Sequence, residues 1–149
     1  FPNSNEAAAR TWIIDPIDAT KNYVRGVPVW GTLIALALDG EPVVGVVSAP
    51  AMGRRWWASP EDGAFTQDVD GSVRSTKVSA VRDLADASFS FSDSVGWEPL
   101  GSNVLDRITS KVWRSRGYGD FWSHLLCWLS SHGDFPKAKP NVSTFLKGI

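Results

Sequence analysis

Residues 12–22 read Trp12-Ile13-Ile14-Asp15-Pro16-Ile17-Asp18-Ala19-Thr20-Lys21-Asn22, and this stretch governs how the rest is read. Thr11 to Asp15 is short, β-branched and apolar, the composition of a buried strand. Pro16 is expected to end that strand, because it holds the residue before it in extended geometry and has no N–H for a ladder. Asp18 is then placed to cap a short helical turn over residues 19–24, closed by Gly26 and Pro28. The two carboxylates lie three residues apart, across a proline, between a strand and a helix start. That arrangement can aim Asp15 and Asp18 at one point. Carboxylates together with a backbone carbonyl, here that of Ile17, suit a hard cation such as Mg2+. The amides of Ala19 and Thr20, at the helix start, suit a phosphate. A bare Asp-x-x-Asp is more often a pair of caps than a metal site.

Working outward, Val29 to Leu38 is a long apolar stretch, followed by Asp39-Gly40 and then Val43 to Val47. Two apolar runs around Asp-Gly predict a hairpin. Residues 49–53 form the next turn, and Arg54 to Ala58 a third strand, with Trp56 and Trp57 on opposite faces. One of those two indoles is expected to be core rather than a sugar platform. Gly63-Ala64-Phe65 begins another extended piece, and the polar residues 67–76 carry Asp70-Gly71, a loop or hairpin tip. Ser residues alternate with Phe89 and Phe91 over Ala87–Ser92, a half-buried strand pattern. Helical spacing over Pro99–Val112, a strand over Val112–Arg116 and an apolar helix over Tyr118–Leu129 follow. Alternating strands and helices predict an α/β layered structure. From Trp128 onward breakers and polar residues take over, and the tail reads as loosely docked.

The 149 residues are 43% hydrophobic and 21% charged, within the range of one ordinary globular domain. Fifteen Lys and Arg against sixteen Asp and Glu leave a net charge of −1, so no basic field exists for nucleic acid. A lone cysteine, Cys127, excludes an internal disulfide framework, and its helix setting reads as an inert core thiol. With two histidines in all, His124 and His132 read as core or surface residues rather than ligands. No apolar run reaches ~18 residues, so no membrane helix is expected. The chain starts at Phe1, its one methionine is Met52, and residues 1–5 lack signal-peptide character, so a piece of something longer is expected. Eight tryptophans leave a carbohydrate-binding module as a reading from composition alone.

The longer string around Asp15 and Asp18 favours the metal reading. Asp-Pro-Ile-Asp, preceded by Trp12 and followed by Thr20, Asn22-Tyr23 and Gly26-Val27-Pro28, resembles the metal signature of the inositol monophosphatase superfamily. The likeness continues through residues 29–50, Gly63-Ala64-Phe65 and Arg114-Ser115-Arg116-Gly117. Lys21 to Trp30 with Arg54-Arg55-Trp56-Trp57-Ala58 is most similar to the histidinol-phosphatases of that superfamily. The resemblance implies a layered α/β sandwich of the sugar-phosphatase type, incomplete here, with residues 1–126 its central part and 127–149 a divergent tail. It implies a Mg2+-dependent phosphomonoester hydrolase, converting L-histidinol phosphate and water to L-histidinol and phosphate. Inositol-1-monophosphatase, and a catalytically dead fragment binding only metal or a partner, are the alternatives. By position, Asp15 would bridge two Mg2+ ions, the Ile17 carbonyl bind one and Asp18 another. Thr20 would orient the attacking water, the amides of Ala19 and Thr20 would hold phosphate, and Asp120 would face the substrate's amine or imidazole. Asp120 has a plainer reading as a favourable charge at a helix start. The implied setting is cytoplasmic, with a small phosphomonoester as ligand, no membrane or nucleic acid, and a homodimer as the assembly suggested.

Three departures from the pattern bear on activity. Ala19 stands where the family has glycine; it either fits a helix start harmlessly or, where the position demands positive φ or close approach of a phosphate oxygen, costs strain or blocks contact. Glu6, the acid upstream, lacks the family's Gly-Glu-Glu context, and the family's Trp-Asp-x-Ala segment has no counterpart. With those ligands missing, little or no turnover is expected of the 149 residues by themselves.

Overall fold

In the computed structural model the described residues are 10–77, 79–91, 97, 103–117 and 119–129, the side chains of 126–129 excepted. They divide into two compact units, 10–77 and 79–129. The first is a six-stranded antiparallel meander in the order β1-β2-β3-β4-β5-β6. Its strands are β1 (Arg10–Asp18), β2 (Gly31–Leu38), β3 (Glu41–Ala49), β4 (Arg54–Ser59), β5 (Gly63–Gln67) and β6 (Val73–Thr76). A short helix, α1 (Thr20–Val24), lies between β1 and β2.

The β2–β3 hairpin forms where two-residue turn chemistry predicts it. Asp39 and Gly40 both take positive φ, 50° and 83°, as the tightest right-twisting hairpin turn requires. The next strands follow from their alternation. On one face Leu33, Ala35, Val47, Trp56, Ala58 and Thr66 are buried, whereas Trp57 and Phe65 stack on the other, with centroids 5.9 Å apart. Trp56 is therefore the core indole of the pair. The polar stretch after Gln67 is a hairpin whose return limb is β6, a strand the sequence reading does not include. Asp68 fastens it, with its carboxylate 2.8 Å from an Arg54 nitrogen and 3.0 Å from the Arg74 Nε. At the tip, hydrogen bonds from the hydroxyl and amide of Ser72 hold the Asp70 carboxyl below the usual aspartate range.

Pro16 does not end β1. The strand runs on to Asp18, and the pairing with β2 shifts between Asp15 and Asp18. A proline is tolerated there because an edge strand's outward amide and a bulge need no ladder donor. Pro42 sits at the other register shift of this sheet, opposite Ala37.

In the second unit β7 (Ser88–Ser90) pairs in parallel with β8 (Arg114–Arg116), and α2 (Val104–Thr109) lies in the crossover between them. Parallel strands need such a crossover. The final helix, α3 (Asp120–Leu129), buries Phe121 and Leu125, one turn apart on one face. Ser123 on this helix meets Ser90 of β7, with their hydroxyl oxygens 2.8 Å apart. The helix expected over Pro99–Val112 is shorter, and residues 98–102 lie outside the described residues, as do Glu6, Tyr118, His132, the tail from 130 and the Cys127 side chain. His124 is exposed.

Candidate functional site

Residues three apart on a regular strand point to opposite faces. Asp15 and Asp18 escape this through the bulge. Asp15 pairs with Leu33 and Asp18 with Gly31, so three steps along β1 match two along β2. Leu33 and Gly31 share the buried face, and their partners Asp15 and Asp18 therefore lie on one face too, both half-buried. The shared face of Asp15 and Asp18 follows from a one-residue slip in the ladder.

Side-chain hydrogen bonds hold the slip. The Ile17 amide donates to the Asp15 Oδ1 at 3.1 Å, a local turn typical of aspartate. The Thr20 hydroxyl donates to the Ile17 carbonyl at 2.8 Å, and the Thr32 hydroxyl of β2 donates to the Pro16 carbonyl at 2.9 Å. Asn22 ties α1 to the following loop, its Nδ2 donating to the Val29 carbonyl at 2.9 Å, and Tyr23 packs edge-on against Trp30 at 4.9 Å. Gly26, at φ 70°, supplies the left-handed residue just past the helix end.

The helix cap corrects an expectation. Ala19, not Asp18, occupies the N-cap of α1, and no side-chain cap bond is made there. Ala19 has φ 62° and ψ 45°, and it is buried at 7% exposure. Of the two readings left open for this alanine, the strained one holds: a Cβ in left-handed geometry costs about 1–2 kcal/mol that glycine avoids. Ala19→Gly is therefore expected to stabilise the chain by about 0.5–1 kcal/mol, where Ala→Gly at an ordinary helical position destabilises it by a similar amount. A urea-unfolding midpoint that falls in this variant would contradict the strain.

Asp15, Ile17, Asp18, Ala19 and Thr20 are thus contiguous at the end of β1 and the start of α1. Asp120 belongs to the second unit, exposed at the first position of α3 with φ 60°. The donors at the first site are all oxygens: two carboxylates and a carbonyl that keeps a lone pair beside its bond to Thr20. This set suits Mg2+, which is held by one or two carboxylates and completes its shell with water and phosphate. No group of three or more His, Cys, Asp and Glu that could hold a metal occurs among the described residues. None of their helices is long and apolar enough to cross a membrane. Sequence reasoning missed Thr32, whose hydroxyl braces the bulge from the neighbouring strand; nothing in its own surroundings marks it.

The model of the inositol monophosphatase family matches residues 2–121. A histidinol-phosphatase of Streptomyces coelicolor is 57% identical over 123 residues, 78% of this chain and 46% of that protein. The histidinol-phosphatase of Mycobacterium tuberculosis is 49% identical over 149 residues, 97% of this chain and 55% of that protein. The chain spans about half the length of the curated relatives it matches. Among solved structures, the extragenic suppressor protein suhB of Bartonella henselae superposes with a TM-score of 0.73 at 26% identity, covering 84% of this chain and 48% of that one.

Proposed function

Since this chain belongs to the inositol monophosphatase family, we propose that it serves Mg2+-dependent hydrolysis of a phosphomonoester, with L-histidinol phosphate as the substrate and L-histidinol and phosphate as products. The observation that carries the reading is the bulge that sets Asp15 and Asp18 on one face. That relatives 57% and 49% identical are named histidinol-phosphatases supports reading histidinol phosphate, rather than inositol phosphate, as the substrate. We read residues 1–126 as part of one catalytic domain, acting in the cytoplasm.

In this reading Asp15, Asp18 and the Ile17 carbonyl hold the metal. Bound Mg2+ supplies Lewis-acid stabilisation of phosphoryl charge and a water of lowered pKa. Thr20 commits its proton to the Ile17 carbonyl, so toward a water its oxygen acts as acceptor and aligns the attacking lone pair. Ala19's carbonyl accepts the amides of Asn22 and Tyr23, which leaves the amides of Ala19 and Thr20, earlier in the turn, for a phosphate. Trp56, being core, is not offered to a carbohydrate.

The test is phosphate release from histidinol phosphate and from inositol 1-phosphate, with Mg2+ and with a chelator. Release is expected to be slow for 149 residues, to prefer histidinol phosphate and to need Mg2+. Where turnover is too slow to read, the melting temperature reports binding: histidinol phosphate should raise it with Mg2+ present and not without. Neither turnover nor stabilisation, or turnover indifferent to Mg2+, overturns the reading.

A further inference from the structure

Asp-Gly occurs three times in the sequence, at 39–40, 62–63 and 70–71, and each of these aspartates is exposed. The dipeptide carries a latent reaction. The glycine amide nitrogen attacks the aspartyl Cγ, a C–N bond forms, and the carboxyl hydroxyl leaves with the amide proton as water. Water then opens the five-membered imide at either carbonyl. Opening at the original main-chain carbonyl leaves the chain running through Cγ, an isoaspartyl linkage, with no net change in mass. Ring closure needs both partners free: a carboxyl not held elsewhere and a glycine amide not given to a hydrogen bond.

Two of the three pairs are tied. The Asp70 Oδ1 accepts the Ser72 amide at 2.9 Å and the Ser72 hydroxyl at 2.6 Å, and the Gly71 amide donates to the Asp68 carbonyl at 2.9 Å. The Asp62 Oδ2 accepts the Ser59 hydroxyl at 2.7 Å, that hydroxyl accepts the Asp62 amide at 3.0 Å, and Gly63 is already paired with Ser59 in the β4–β5 ladder. At the third pair, Leu38 and Glu41 close the turn. Among the described residues, neither the Asp39 carboxylate nor the Gly40 amide has a hydrogen bond or ion pair. We propose that Asp39 is the residue at which the folded chain converts to isoaspartate, the one Asp-Gly pair of three that the fold leaves chemically open. The hydroxyl that leaves exists only on the protonated acid, so the lowered carboxyl range of Asp70 works in the same direction. Conversion lengthens the backbone of the β2–β3 turn by one atom, and Leu38 and Glu41 can then no longer close it as a two-residue loop. The inference does not depend on the hydrolase reading.

The 149-residue chain, held folded for weeks at mildly acidic pH and then digested, gives isoaspartate by position under electron-transfer fragmentation. Position 39 is expected to convert first. Positions 62 and 70 are expected to lag, Asp70 by about tenfold or more, since each hydrogen bond that must open first holds the rate back by a factor of about five. In guanidinium chloride the three should convert at similar rates. Ser72→Ala removes one tie and is expected to raise conversion at Asp70 by about fivefold while position 39 is unchanged. Folded-state conversion at 62 or 70 that matches 39, or a position 39 as well protected as the other two, overturns the proposal. A preference for 39 that persists in guanidinium chloride overturns it too, since the fold is then not its source.

Discussion

Asp15→Asn is expected to weaken divalent-cation binding by about 100-fold or more, beyond what loss of a metal's outer-sphere partner costs, and to abolish any Mg2+-dependent phosphate release. The fold is expected to survive it. The Asp15 Oδ1 accepts the Ile17 amide at 3.1 Å, and an asparagine oxygen can accept the same bond, so the bulge keeps its tie while the negative charge goes. Asp15→Ala loses both charge and tie, and is expected to cost a further ~1 kcal/mol of stability for the hydrogen bond. The pair of variants thus separates the two duties of one carboxylate. Mn2+ titration followed by electron paramagnetic resonance reads the first duty, and urea unfolding the second. Cation binding that is unchanged in Asp15→Asn would remove this carboxylate from the site.

What the sequence shows of this site divides along a physical line. The Asp39-Gly40 turn is legible because its requirement is local: two neighbouring residues must both take positive φ, and Asp-Gly does so at low cost. The bulge at residues 15–18 is not legible, because it is a relation between two strands. A proline read along one strand is a stop; only the phase of β2, set by Leu33 and Gly31, turns it into a slip. The same limit explains the misplaced cap. With the strand expected to end at Pro16, Asp18 is the natural capping residue. With the strand running to Asp18, the cap moves to Ala19, in a left-handed geometry that alanine pays for and the family's glycine would not. Strand β6 escapes notice for another reason. Val73-Arg74-Ser75-Thr76 has no apolar face; its one buried residue is the polar Thr76, and its hairpin and Asp68 hold it in place.

Alternation along β4 tells that Trp56 and Trp57 face opposite ways, but not which of them is core, and the consequence of that choice is the larger stability prediction. Trp56 is 2% exposed in the middle of the sheet, paired with Val47 on β3 and Thr66 on β5, and the neighbouring row on its face holds the small residues Ala35, Ala58 and Ala64. Small neighbours cannot lean in to fill the space an indole leaves, so Trp56→Ala should open a cavity with little collapse. The expected cost is at the upper part of the ~3–5 kcal/mol range for buried aromatic truncations. Domains are stable by only about 5–15 kcal/mol, so this removes a large share of the total. Trp57→Ala gives up a half-exposed ring stacked on Phe65 at 5.9 Å, and is expected to cost about 1–2 kcal/mol. Trp113, 67% exposed, is expected to be replaceable by alanine within about 0.5 kcal/mol. Urea unfolding followed by far-ultraviolet circular dichroism, which is indifferent to which indole is lost, should rank the three in that order. A Trp56→Ala midpoint no lower than that of Trp113→Ala would mean that the face closed over Trp56 is not the core of this sheet.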